Sequence, residues 1–238
     1  MRKIKLKYLF ICVASILIFT SFSINTFAEV WGNDTRTRVT GTTAEPNRAI
    51  VQLDGVLNKE NNNEYICTGA MVGPKTLVTA AHCVINGTLT MTVSPGKNET
   101  KNPYGTAKIR QVHISPNYVT GRSSNDDWAV INIDKELGNK TGWFNYNTGL
   151  PPGDIAVTGY PIDKGGSQMW TGKGRIQRTS GNTVYHDVDT NGGQSGAPIH
   201  QNNVIYAIHG GATRSITLNH GARINQDVID AINQMRQQ

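Results

Sequence analysis

Thr76-Leu77-Val78-Thr79-Ala80-Ala81-His82-Cys83 is the most telling stretch of this chain. Thr76 to Thr79 are suited to a short strand, three of the four being β-branched. Two alanines then remove bulk, and His82 stands just past the strand end. Similar short runs recur at Ala49-Ile50-Val51-Gln52-Leu53, Trp128-Ala129-Val130-Ile131-Asn132-Ile133, Ile155-Ala156-Val157-Thr158 and Val204-Ile205-Tyr206-Ala207-Ile208. Each is bounded by turn formers, and this spacing predicts an all-β sandwich or barrel. One helix is predicted from Asn225 to Met235. Val228, Ile229, Ile232 and Met235 share a face, Asn225 can cap, and Asp227 suits the positive end of the dipole. The turn-rich stretch from Leu137 to Gly153, with Pro151-Pro152, reads as a linker between halves of about 100 residues each.

Composition limits the remaining classes. The chain has 238 residues, 37% hydrophobic and 17% charged, which excludes a disordered chain. Three cysteines are too few for a disulfide scaffold or an ordinary structural zinc site. Arg2, Lys3, Lys5 and Lys7 precede an apolar run from about Tyr8 to Phe19, then Thr26-Phe27-Ala28. That layout predicts a secretory signal peptide over residues 1–28. The alternative is a membrane anchor, but about twelve apolar residues are short for a bilayer. The signal holds four of the basic residues and no acids, so the formal charge falls from +6 to +2 without it. No Lys/Arg cluster marks a nucleic-acid or lipid surface. Removal of the signal also takes Cys12 and leaves Cys67 and Cys83. In an oxidising compartment this pair is expected to bond, adding roughly 3 kcal/mol in the chain-entropy model. Two buried free thiols are the alternative.

Several motifs are absent. No two of the six histidines (82, 113, 186, 200, 209 and 220) have the spacing of an H-E-x-x-H helix. There is no phosphate-binding G-x-x-x-x-G-K-[ST] loop. The serine in Gly193-Gln194-Ser195-Gly196-Ala197 departs from G-x-S-x-G at its last position. Three segments remain: the one ending in His82-Cys83, Asn125-Asp126-Asp127-Trp128-Ala129-Val130, and Asn191-Gly192-Gly193-Gln194-Ser195-Gly196-Ala197-Pro198. Taken singly, each has a bland reading as a structural histidine, a solvated acidic turn or a glycine-rich turn. Together they supply His, Asp and Ser. A serine hydroxyl is a weak nucleophile, an imidazole can take its proton, and a carboxylate can hold the imidazole. The glycines allow backbone N–H groups to converge on a developing oxyanion.

These motifs resemble those of chymotrypsin-fold serine endopeptidases, and within them the bacterial secreted glutamyl endopeptidases. Val30-Trp31-Gly32-Asn33-Asp34-Thr35-Arg36-Thr37-Arg38-Val39, Gly73-Pro74-Lys75-Thr76 and Gly221-Ala222-Arg223-Ile224 carry the closer likeness. The similarity runs from about Val30 to the final helix. It implies two antiparallel six-stranded β-barrels with a C-terminal helix, the first over 29–140 and the second over 141–238. By resemblance, His82 is the general base, Ser195 the nucleophile, and the N–H groups of Gly193 and Ser195 the oxyanion donors. In the family the catalytic Asp directly precedes a strand, which by resemblance favours Asp127 as the carboxylate, with Asp126 the alternative. Cys67 and Cys83 fall where the family has a disulfide.

The resemblance further implies cleavage after Glu, and more weakly after Asp. Thr190 and His209 fall where the family binds the substrate carboxylate, and Val30 where it places the mature N-terminus near the pocket. Asp189 is a competing residue for the pocket base and would allow basic substrates. His209-Gly210-Gly211 lacks the aromatic residue that some relatives place after the histidine. Protein and peptide substrates are expected, with no cofactor, metal, nucleic acid or membrane partner after signal removal, and a secreted monomer. Two other classes compete: a narrow-specificity protease similar to the exfoliative toxins, and a non-catalytic pseudoprotease. The latter would be expected to lack a triad member, yet all three residue types are present.

Overall fold

A computed structural model of the chain describes residues 28–56, 64–85 and 91–238. The signal-peptide expectation falls almost entirely outside these residues. β1 (Thr37–Arg38) opens the fold and is followed by six strands: β2 (Ile50–Val56), β3 (Glu64–Met71), β4 (Thr76–Thr79), β5 (Thr92–Pro95), β6 (Ala107–Ile114) and β7 (Ala129–Ile133). These six close into an antiparallel barrel in the order β2-β3-β4-β7-β6-β5. The central strands are covered on both faces and take in buried polar residues, Thr76, Thr79 and Asn132, along with their apolar ones. All four residues of β4 and all five of β7 are buried.

The second unit contains β8 (Asn145–Tyr146), β9 (Ile155–Gly159), β10 (Trp170–Gly174), β11 (Ile176–Ser180), β12 (Thr183–His186), β13 (Pro198–Gln201), β14 (Val204–Thr213) and β15 (Leu218–Arg223). With β1 they form a nine-stranded sheet whose path is β1-β10-β9-β13-β14-β15-β12-β11, with β8 parallel to β14. The expected architecture is present, but this second sheet is a half-barrel with more than six strands. Its end strand β11 is largely exposed and polar, as suits an unpaired edge. The stretch from 137 to 153 is more structured than a linker. It contains a helical turn at Gly138–Thr141, the fully buried Phe144, and β8.

The terminal segments cross between the two units. β1 pairs with β10 of the second sheet. The last helix, Gln226–Arg236, packs on the first barrel, where Asn132 Nδ2 donates to Met235 O at 2.7 Å. Its cap is as predicted, with Val228 N donating to Asn225 Oδ1 at 3.0 Å. Such a cap contributes about 1 kcal/mol. Val228, Ala231, Ile232 and Met235 are buried in a core that continues through the barrel to Tyr160, Met169 and Ile205. A smaller cluster, including Ile155, Val157, Val184 and Ile199, fills the second sheet. The Cys67–Cys83 bond forms as expected and joins β3 to the turn that carries His82.

Candidate active site

His82 sits in a single 3-10 turn, Ala81–Cys83, directly after β4. Asp127 lies between the 3-10 turn Ser124–Asp126 and β7. β4 and β7 are paired, with Thr79 opposite Ala129, so the two side chains emerge from one end of the same ladder. His82 Nδ1 lies 2.7 Å from Asp127 Oδ2, and His82 N donates to Asp127 Oδ1 at 3.0 Å. The carboxylate can only accept here, so Nδ1 carries the proton and Nε2 is left as the basic nitrogen. Asp126 does not share this contact, and among the described residues its carboxylate accepts only a long 3.4 Å bond from Asn117.

Burial and charge oppose each other in this pair. Burial favours the neutral imidazole, but the Asp127 charge and hydrogen bond outweigh it and raise the His82 pKa above 6.5. Burial pushes Asp127 up, yet His82, through its charge, ring and backbone N–H, holds it below the usual carboxylate range.

The Ser195 turn is pressed against the same strand ends. Thr68 N donates to Ser195 O at 2.8 Å, and Thr68 Oγ1 donates to Gly193 O at 2.8 Å. Gly196 has φ +84°, and a Cβ there would stand 2.1 Å from Thr79 Oγ1 and 2.9 Å from Ala80 N. Only glycine permits so close an approach to the His82 strand. Gly193 has φ +91°, and a Cβ would stand 2.3 Å from Tyr160 O. The N–H groups of Gly193 and Ser195 donate to no acceptor among the described residues. Ser195 Oγ makes a long 3.4 Å bond to Gly210 O. Gly210 also borders Asp127, whose Oδ2 would be 3.1 Å from a Cβ placed there.

Thr190 and His209 are both completely buried. Gly196 N donates to His209 O and His209 N to Ala197 O, at 2.7 and 2.9 Å, which ties β14 to the serine turn. Thr190 Oγ1 and His209 Nε2 have no hydrogen-bond partner among the described residues. His209 Nδ1 faces His186 Nε2 at 3.3 Å, and burial keeps both rings neutral, His186 down to about 3. His220, which also borders this group, is lowered by burial too.

Asp189 is spent elsewhere. Trp31 N, Thr35 N and Thr35 Oγ1 donate to its two oxygens at 3.0, 3.0 and 2.7 Å. Val30 is fastened between two such contacts, since Thr190 N donates to Glu29 O at 3.2 Å on its other side. Asn219 closes the arrangement by donating to Glu29 O and Val188 O, and by accepting from Glu29 N. The sequence reading missed His186, Asn219, Thr68 and Arg36. The first three stand in no motif. Arg36 lies within the quoted N-terminal stretch, and only its total burial marks it out.

The trypsin family matches residues 38–229. The chain is 35% identical over 219 residues to a glutamyl endopeptidase of Bacillus licheniformis, covering 84% of this chain and 67% of that protein. It is 34% identical to a protein of Bacillus subtilis named an extracellular metalloprotease, covering 86% and 69%. A solved Glu endopeptidase is 28% identical with a TM-score of 0.78, covering 87% of this chain and 99% of that one. The metalloprotease name does not fit the donors here. Among the described residues, the one cluster with metal-ligand spacing is Cys67, His82 and Cys83, and its two sulfurs are bonded to each other. A disulfide sulfur is not the thiolate that a metal binds. By sequence and by fold, the chain belongs to the trypsin family and is a chymotrypsin-fold serine protease.

Proposed function

We propose that this protein is a secreted endopeptidase that cleaves after Glu, and less readily after Asp, with His82 as general base, Asp127 as its support and Ser195 as nucleophile. Ser195 attacks the scissile carbonyl as His82 Nε2 takes its proton. Asp127 holds the imidazole and stabilises the imidazolium. The Gly193 and Ser195 N–H groups receive the oxyanion. His82 then protonates the leaving amine, and water resolves the acyl-enzyme by the same path. The proposal includes division near residue 140, with the site between two units whose terminal segments cross over.

One observation carries the specificity. Thr190 Oγ1 and His209 Nε2 are buried polar atoms without partners among the described residues, beside the nucleophile turn. Leaving such a group unpaired costs about 1–3 kcal/mol, so a ligand that pairs both is strongly preferred. Neutral His209 can accept from His186 at Nδ1 and donate from Nε2. With the Thr190 hydroxyl, that offers two donors to a carboxylate. Asp189 already accepts three hydrogen bonds from the N-terminal segment, which argues against a basic pocket. Matched peptides differing only as Glu, Gln or Lys before the scissile bond test this reading. Glu is expected to exceed Gln in kcat/KM by about ten- to a hundredfold. Equal turnover of the Lys peptide would contradict it.

The His82–Asp127 pair also sets the pH response. The neutral imidazole is the working base, and Asp127 raises its pKa above 6.5. Activity is therefore lost as pH falls through that raised value. The acid limb of kcat/KM is expected to have its midpoint above pH 6.5, and Asp127→Asn is expected to move it downward. A limb below 6.5 in the unaltered enzyme would count against this pairing.

A further inference from the structure

The Arg36 side chain is completely buried, in a segment remote in sequence from the nucleophile. A guanidinium has five N–H donors, and all five are engaged here. Nε and Nη2 donate to the two oxygens of Asp34 at 2.8 and 2.9 Å. Nη2 also donates to Asp163 Oδ2, while Nη1 donates to Asp163 Oδ1 at 3.1 Å and to Gln194 Oε1 at 3.3 Å. Lys164 Nζ lies 3.0 Å from Asp34, so two cations face two carboxylates. A buried cation is held only when it is paired in this way.

The bond to Gln194 falls outside this charge balance. Gln194 is fully buried and directly precedes Ser195. Its Oε1 also accepts from Asn191 N at 3.0 Å. Two donors on one atom mark that atom as the amide oxygen. Gln194 N donates to Asn191 O at 3.1 Å, so backbone and side chain together lock the 191–194 turn. Across from it, Ile162 N donates to Gly192 O at 2.7 Å, and Ile162 is the neighbour of Asp163. One guanidinium thus grips the Ile162–Lys164 turn on one side and the nucleophile turn on the other. Gly193 lies between them.

We propose that Arg36 is a positioning residue for the oxyanion donors, acting through Gln194. The proposal rests on the serine-protease reading above, with the Gly193 and Ser195 N–H groups as those donors. A developing oxyanion needs both donors at fixed distances, whereas ground-state binding of Glu depends on the separate Thr190/His209 pocket. Loosening the turn therefore weakens the transition state and leaves substrate binding almost alone.

Gln194→Met keeps the length of the side chain, removes the acceptor and leaves the Arg36 ion pairs intact. Its kcat on the Glu peptide is expected to fall about ten- to a hundredfold, with KM within about twofold. Arg36→Lys is the second variant, because three donors on one nitrogen cannot span Asp34, Asp163 and Gln194 together. It is expected to show the same split between kcat and KM. A folded Gln194→Met enzyme with unchanged kcat would overturn the proposal, as would a loss seen only in KM. Wild-type turnover that survives Ser195→Ala would instead overturn the serine-protease reading itself.

Discussion

Ser195→Ala is expected to lower kcat by about 10⁶-fold without unfolding the protein. The alteration removes one oxygen. That oxygen makes only a long 3.4 Å bond to Gly210 O, so little native stability depends on it. The turn is held by other atoms: Thr68 N on Ser195 O, Thr68 Oγ1 on Gly193 O, and Gly196 N on His209 O. A fluorophosphonate probe should label the wild type and not the variant, and the two should melt together. Residual turnover close to wild type would mean that another group supplies the nucleophile. His82→Ala should cost about as much, since base and nucleophile act as one unit.

The second large effect concerns the pocket. Thr190→Val preserves shape and removes a hydroxyl that has no partner among the described residues. Stability should be kept or rise, because a buried hydroxyl without a partner is replaced by a methyl group, while on the proposed reading the Glu carboxylate would lose one of its two donors. A hydrogen bond to a charged group contributes roughly 1.5–3 kcal/mol, so kcat/KM on a Glu peptide should fall about ten- to a hundredfold. The matched Gln peptide should lose far less. His209→Ala should erode the same ratio and leave the triad chemistry less affected. It removes a fully buried ring that packs against His186, so its melting temperature must be measured alongside. A variant at His209 that kept the full Glu preference would show that the pocket is elsewhere.

Much of this site could be read from the chain because its chemistry is local. Thr76–Thr79 is a strand with the bounds that its β-branched residues suggest, and His82 follows it at a fixed offset. Asp127 could be preferred over Asp126 because it adjoins an apolar strand, and its carboxylate is the one on His82. The C-terminal helix could be read from its period and cap. Other features depend on long-range pairing. β1 and β8 are two residues each, too short for any period, and exist because β10 has an open edge and β14 leaves Val204 and Ile205 unpaired by β15. Neither the Asp189 contacts nor the Arg36–Gln194 bond could be anticipated, since their partners are more than 150 residues apart. The ordered elements within residues 137–153 were hidden for a related reason. Pro and Gly marked the turns, but Phe144 is buried against partners distant in sequence, its N–H on Met71 O and its ring edge-on to His200.

If one triad and one carboxylate pocket act together, a cleavage-site profile of the enzyme shows both at once. Mature protein would digest a mixed pool of denatured peptides, with Ser195→Ala as the blank, and mass spectrometry would read the new termini. New termini are expected mainly after Glu, with a minority after Asp, and none in the blank. Cuts spread over other residues, or cuts that persist in the blank, would contradict it.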